Sequence, residues 1–320
     1  MNRRPPAWLW PNLLSLDAPI VACIWMWMLA RAMRVQYVEL SSYAVLAAAV
    51  WCVYVLDRIK DVFSGKHPVE GEMPWRHEFH WKLKWLLLVL VAAVIVYSGY
   101  SSLYVLSREM LSAGLVGAFL VLVYFVVAAF DRADVAYGKN FFAGMVFAFG
   151  TAVPVVIYSQ PMPAVLSDVI APLQVALQEG GAIAMLGGIL LALKEYIIMV
   201  LGSLGVVLFS VHVVLFGLLC VMNITAIDLW ERSRRSDDQE VKDASEFSLS
   251  AGLMALVAGA MISAAFFVDD YGRPLCYAVM ISAALLQVIN RKRYKFSLDA
   301  QRVLADIALV VPAPLMFFLS

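Results

Sequence analysis

Two groups of acidic residues, each at the end of a long apolar run, have the types and spacing most suited to chemistry. Asp57 and Asp61 follow the apolar run 43–56 and lie four residues apart, so a continuing helix puts them on one face. Two carboxylates this close repel each other, and a divalent cation is the usual partner that makes such a pair favourable. Oxygen-only ligands favour Mg²⁺, which keeps several waters and takes one or two carboxylates plus phosphate oxygens. One interpretation is therefore that Asp57 and Asp61 bind Mg²⁺; the other is that they belong to a solvated loop whose charges end the helix at the interface.

The second acidic group follows another long apolar run. Asp228 and Glu231 are three residues apart and share a helical face, with Asn223 about a turn and a half earlier. One interpretation is a second metal-binding cluster that faces the first. The other is an intramolecular salt-bridge patch, because Arg232 and Arg235 lie among these carboxylates. Both interpretations stay open at this point.

Cations accompany the carboxylates and could neutralise phosphate oxygens. The candidates are Arg58, Lys60 and Arg76 in the segment 57–82, and Lys139 in the short polar segment 131–139. The alternative is that they are ordinary charges that end membrane helices at the interface, where lysine and arginine are common. Asp17 is a further ionisable residue at the start of an apolar run, and it is a candidate for a functional or interhelical-pairing role.

The composition indicates a membrane protein. Hydrophobic side chains make up 63% of the 320 residues and charged ones 15%, whereas soluble chains are about 45–50% apolar and about 25% charged. The apolar residues come in runs close to the ~20 needed for a helix to cross a bilayer. The formal net charge is zero, so the composition implies no attraction to nucleic acid.

The apolar runs predict an all-α fold, a single transmembrane domain over 1–320 with about nine membrane helices. The predicted helices are 14–34, 38–56, 83–106, 109–130, 140–158, 200–227, 247–268, 274–290 and 300–319. Cytoplasmic motif loops are predicted at 57–82 and 228–246, and an external connector with one interfacial or re-entrant helix at 159–199. With the N-terminus in the cytoplasm, most of the 24 lysines and arginines fall in cytoplasmic segments. The predicted location is a multi-pass position in the lipid bilayer of the bacterial inner membrane.

The first acidic motif resembles that of the UbiA superfamily of membrane-embedded prenyltransferases. That family has nine helices and two cytoplasmic Asp-rich motifs, after the second and sixth helices, and these bind an isoprenyl diphosphate through magnesium. The stretch 57–61, Asp-Arg-Ile-Lys-Asp, is similar to the second half of the family's first motif. Val53 and Tyr54 occupy the positions where the family has Asn-Asp, so one expected metal ligand is missing.

The second motif is similar in a degenerate form. Asp228 matches its first aspartate, Glu231 stands in for the next, and the third is displaced to Asp237 or Asp238. Lys139 looks like the lysine that the family carries in the corresponding loop.

The resemblance implies a magnesium-assisted transfer of an isoprenyl group from an isoprenyl diphosphate to a lipophilic acceptor. The implied catalytic residues are Asp57, Asp61 and Asp228; the metal ligands are these three with Glu231; the substrate-binding residues are Arg58, Lys60, Lys139, Asn223 and Arg76. The alternative, favoured by Val53 and Tyr54, is a non-catalytic relative that binds an isoprenoid or a partner protein. A secondary transporter is disfavoured because we find neither an internal repeat nor midmembrane charges in the sequence.

Overall fold

A computed structural model describes residues 5–63, 75–129, 136–159 and 209–319, together with 175, 178, 185–191, 194, 202 and 205 between them. The described part of the chain contains helices and turns but no β-strand, so the architecture is all-α. After a short 3₁₀ turn, Ala7–Leu9, the α-helices are α1 Trp10–Leu13, α2 Asp17–Ala32, α3 Leu40–Phe63, α4 Trp75–Tyr104, α5 Arg108–Ala129, α6 Ala136–Ser159, α7 Val211–Arg235, α8 Gln239–Phe266, α9 Arg273–Arg291, α10 Leu298–Val310 and α11 Leu315–Leu319. A second 3₁₀ turn, Arg293–Lys295, joins α9 to α10.

These helices support a multi-pass membrane protein. Within the described residues, 7 helices are long and apolar enough to cross a bilayer, and the count rises to 8 if one bent pair is a single span. That pair is Ala7–Leu13 with Asp17–Ala32, which meet at 79°, and Ser15 between them has a positive φ of 56°. The apolar part of α5, Ala113–Ala128, is shorter. A helical membrane bundle is therefore supported, whereas the predicted count of nine spans is not confirmed.

Several helices extend beyond their predicted apolar limits. The helix α3 continues from Leu56 to Phe63, α4 begins at Trp75, and α7 continues to Arg235. Much of the predicted loops 57–82 and 228–246 is therefore helical. The physical reason is that side chains of opposite charge can pair at helical spacing past the apolar run, as Lys60 does with Asp57. Residues 185–191 of the connector 159–199 are helical, and most of that prediction lies outside the described residues.

The main core lies between α2, α6, α7, α8, α9 and α10. Trp25 of α2 stacks on Phe216 of α7 with ring centroids 4.3 Å apart. Gly144 of α6 lies so close to α7 that an added Cβ would stand 2.6 Å from the backbone nitrogen of Val221. Small residues permit this approach of helix backbones in lipid. A smaller core joins α3 to α4 through Cys52, Val55, Ile59, Leu87 and Val91.

Candidate diphosphate site at the charged end

One end of the bundle collects most of the sequence-predicted site residues. We call it the charged end: the C-terminal ends of α3 and α7 and the N-terminal ends of α4, α6 and α10. Contacts between helices define it. Arg76 of α4 forms an ion pair with Glu231 of α7 at 3.7 Å, and Arg302 of α10 pairs with the same carboxylate. Arg76 also interacts electrostatically with Asp61, so the two acidic groups share this arginine.

The carboxylate of Asp57 contacts a flexible lysine and a neutral tyrosine hydroxyl. Lys60 Nζ lies 3.1 Å from Asp57 Oδ1, and the hydroxyl of Tyr124 donates to the same oxygen at 3.4 Å. The Asp57 side chain keeps 31% of its surface exposed. Tyr124 comes from α5 and was missed by sequence reasoning, because an isolated tyrosine in an apolar run carries no signal of its partner.

Asp61 lies one helical turn further along α3. It interacts electrostatically with Asp57 and Lys60 on its own helix, with Arg76 of α4 and with Lys139 of α6. Three of the predicted phosphate-binding cations, Lys60, Arg76 and Lys139, therefore interact with Asp61, and they come from three helices.

Glu231 is enclosed by arginines. Arg302 donates to its Oε1 from Nε at 3.0 Å and also from Nη2, and Arg235 Nη2 donates to Oε2 at 3.2 Å. Arg302 is only 3% exposed and Glu231 16% exposed in their side chains. An arginine fork on a carboxylate gives directional, charge-assisted bonds. Arg302 also bonds Asp299 at 3.0 Å, so Glu231 ties α7 to α10.

Asp228 is bonded by one arginine, and is therefore less enclosed by arginines than Glu231. Arg232, one turn later on α7, bonds it through Nε at 3.1 Å and pairs through Nη2 at 3.0 Å. The side chain of Asn140 on α6 donates to its Oδ2 at 3.4 Å. Because Asn140 directly follows Lys139, the Asp228 contact holds the start of α6, and with it Lys139, against α7.

Arg76 is a cation with one hydrogen-bond donor that no described residue accepts. Its Nε is buried and has no hydrogen-bond partner among the described residues. Burial and the nearby guanidinium of Arg302 lower the pKa of Arg76 to about 9, against the opposing effect of Glu231. The group stays protonated at neutral pH, and a further anion beside it would offset the cost of its burial.

Two predicted substrate-binding residues belong to a deeper cluster. Arg58 donates to the backbone carbonyl of Asn12 at 2.7 Å and lies 3.6 Å from Asp17. Asn223 donates to Asp306 of α10 at 3.3 Å. Asp306 was not identified from the sequence as a site residue. It lies inside the span Leu298–Phe318, so the prediction of an interior without midmembrane charges is wrong. A single aspartate in an apolar run was the available signal.

The carboxylates do not form a single metal cage. The described part of the chain contains no group of three or more histidine, cysteine, aspartate or glutamate side chains arranged to hold a metal ion. The four predicted ligands therefore divide: Asp57 and Asp61 form a pair, Asp228 is bonded by Arg232 and Asn140, and Glu231 is enclosed by arginines. A pair of carboxylates fits Mg²⁺ when water and phosphate oxygens complete its coordination.

Comparison of the chain with protein-family models, with curated proteins and with solved structures finds no match.

Proposed function

We propose that the protein is an integral membrane prenyltransferase that binds an isoprenyl diphosphate at the charged end and transfers its isoprenyl group to a lipophilic acceptor. The observation that carries the proposal is the buried Nε of Arg76, which has no hydrogen-bond partner among the described residues, on a guanidinium that interacts electrostatically with Asp61. A diphosphate bound with Mg²⁺ supplies both missing components: an anion for the guanidinium and a cation for the carboxylates.

In the proposed complex, Asp57 and Asp61 hold the Mg²⁺, with Asp228 as a further carboxylate nearby. Arg76, Lys139 and Lys60 contact phosphate oxygens. Bound Mg²⁺ supplies Lewis-acid stabilisation of the diphosphate as negative charge develops on it. The cations of the chain stabilise the same charge, and stabilisation of developing charge is commonly the largest contribution of a protein to catalysis.

The reaction would break the allylic C–O bond, and its electron pair would leave with the diphosphate oxygen. The acceptor attacks the allylic carbon and loses a proton. The chain contributes by holding the diphosphate at the charged end while the apolar helix surfaces accommodate the isoprenoid tail and exclude water from the reacting carbon.

A matched pair of arginine substitutions tests the proposal. Arg76→Gln removes the incompletely paired guanidinium, whereas Arg235→Gln removes an exposed one that pairs with Glu231 on the same helix. We expect Arg76→Gln to weaken farnesyl diphosphate binding at least about tenfold, the effect of losing one charge-assisted hydrogen bond. Arg235→Gln should bind as the native protein does. Equal affinities for both variants would contradict the role of Arg76.

A second candidate is a non-catalytic bundle that binds an isoprenoid or a partner protein. The observation that favours it is the arginine enclosure of Glu231, which makes this member of the second acidic group a structural ion pair. The two candidates differ in product formation: a binding protein would retain farnesyl diphosphate without releasing diphosphate when lipophilic acceptors are supplied.

A further inference from the structure

A second polar cluster lies deeper in the bundle than the charged end. Asp17 Oδ2 accepts a hydrogen bond from the side chain of Asn12 at 2.5 Å, and Asp306 Oδ1 accepts one from Asn223 at 3.3 Å. Asp17 and Asp306 interact electrostatically with each other. Asn223 precedes Glu231 by eight residues on α7, which places it about 12 Å deeper at ~1.5 Å per residue.

The charges of this cluster do not balance when both carboxyl groups are ionised. Arg58, 3.6 Å from Asp17, supplies one positive charge against two negative ones. An uncompensated carboxylate in an apolar interior is costly. One additional monovalent positive charge would make the cluster neutral.

Two asparagine side chains that contact the carboxylates each have a buried amide oxygen without a hydrogen-bond partner in the described part of the chain. Asn12 Oδ1 and Asn223 Oδ1 accept no hydrogen bond among the described residues, although Asn12 is only 2% and Asn223 only 8% exposed. A carboxylate only accepts, so each amide must present its nitrogen to it. Because the oxygen and nitrogen of an amide share one carbon, each unpartnered oxygen belongs to an amide group that already contacts one of the two carboxylates.

We propose that Asp17, Asp306, Asn12 and Asn223 form an intramembrane binding site for a single Na⁺ ion. The atoms that would coordinate the ion are all oxygens, which suits a hard cation. The charge deficit of one favours a monovalent ion. Mg²⁺ is a poorer occupant, because it dehydrates reluctantly and would bring a second positive charge next to Arg58. Ionisable residues within membrane segments commonly mark ion pathways or binding sites.

A proton competes with Na⁺ for the same carboxylate oxygens. The groups that face the pair are Arg58, His80 and Tyr54, with Cys220 and Tyr124 next to Tyr54. Protonation of either carboxyl group removes a negative charge from the site. Sodium binding should therefore weaken as the pH falls.

The native protein provides the first test. Its thermal unfolding midpoint in detergent is measured while NaCl replaces choline chloride at constant ionic strength. At mildly alkaline pH we expect Na⁺ to raise the midpoint by on the order of a few degrees, with a smaller rise at mildly acidic pH. Binding of radioactive sodium should saturate at one ion per chain. The absence of any sodium effect on the native protein at alkaline pH would overturn the proposal.

Variants locate the ion. Asp306→Asn should abolish the sodium response, whereas Asp299→Asn, the same substitution at the start of the same helix, should retain it. If Asp306→Asn gives no folded protein, Asn223→Ser serves in its place and should weaken the response. A full response in the folded Asp306→Asn or Asn223→Ser protein would contradict the assignment. The test uses no diphosphate, so its outcome is separate from that of the prenyltransferase proposal.

Discussion

Asp57 and Glu231 are both predicted metal ligands at the charged end, yet their surroundings differ. Asp57 is bonded by a lysine and a tyrosine hydroxyl and stays 31% exposed. Glu231 is bonded by Arg302 and Arg235, pairs with Arg76 and is 16% exposed. Lysine is a mobile point charge, whereas arginine holds a carboxylate in a fixed fork. Acidic residues that look alike in the sequence therefore differ in how firmly their carboxylates are held by partners within the bundle.

The largest expected effect is on stability, at Glu231. Glu231→Ala leaves the buried Arg302 without its main carboxylate, and removing one partner of a buried ion pair costs about 3–5 kcal/mol. Asp228→Ala breaks a pair whose side chains are 34–38% exposed, so we expect a loss of no more than ~1 kcal/mol. Equilibrium unfolding in detergent measures both. Similar losses for the two variants would remove the distinction between structural and ligand-binding carboxylates.

The next effect tests how α6 is positioned against α7. Gly144→Ala puts a methyl group 2.6 Å from the backbone of Val221, and overpacking of this kind costs about 1–3 kcal/mol. The shift should also displace Lys139 and Asn140 from the charged end and weaken diphosphate binding. Gly117→Ala on α5 meets nothing within 4 Å and is the matched control. A Gly144→Ala protein with native stability would show that α6 and α7 can separate without cost.

Asp57 should show the opposite pattern to Glu231. Asp57→Ala removes a partly exposed ion pair with Lys60, so the free energy of unfolding should fall by less than ~1 kcal/mol. Binding of geranylgeranyl diphosphate in the presence of Mg²⁺ should be lost, because the carboxylate serves a ligand. Calorimetric titration of the folded variant checks this. Native affinity in that variant would exclude Asp57 from the site.

The smallest expected effect is at Tyr124. Tyr124→Phe removes the hydroxyl that donates to Asp57 and keeps the ring. One hydrogen bond of this kind contributes about 0.5–1.5 kcal/mol, so affinity for the diphosphate should fall several-fold with stability nearly unchanged. A loss of affinity as large as that of Asp57→Ala would mean that Tyr124 contacts the ligand itself.

The apolar runs predicted the helices well, because length and hydropathy are properties of a single segment. Helix ends were less predictable: the charged residues of 57–63 continue α3 through pairs at helical spacing. The residues that pair with the carboxylates could not be predicted from the sequence. Arg302 and Asp306 lie within one predicted apolar helix, and only the packing of α10 against α7 brings them to Glu231 and Asn223. Tertiary contacts of this kind leave no periodic signal in the sequence.

The most direct test of the proposed diphosphate site is the binding of geranylgeranyl diphosphate to the purified native protein with and without Mg²⁺. We expect binding that requires Mg²⁺, since Asp57 and Asp61 repel a diphosphate unless a cation lies between them. Binding of equal strength without Mg²⁺ would contradict the role of the two carboxylates. Absence of binding at millimolar Mg²⁺ would contradict the diphosphate site as a whole.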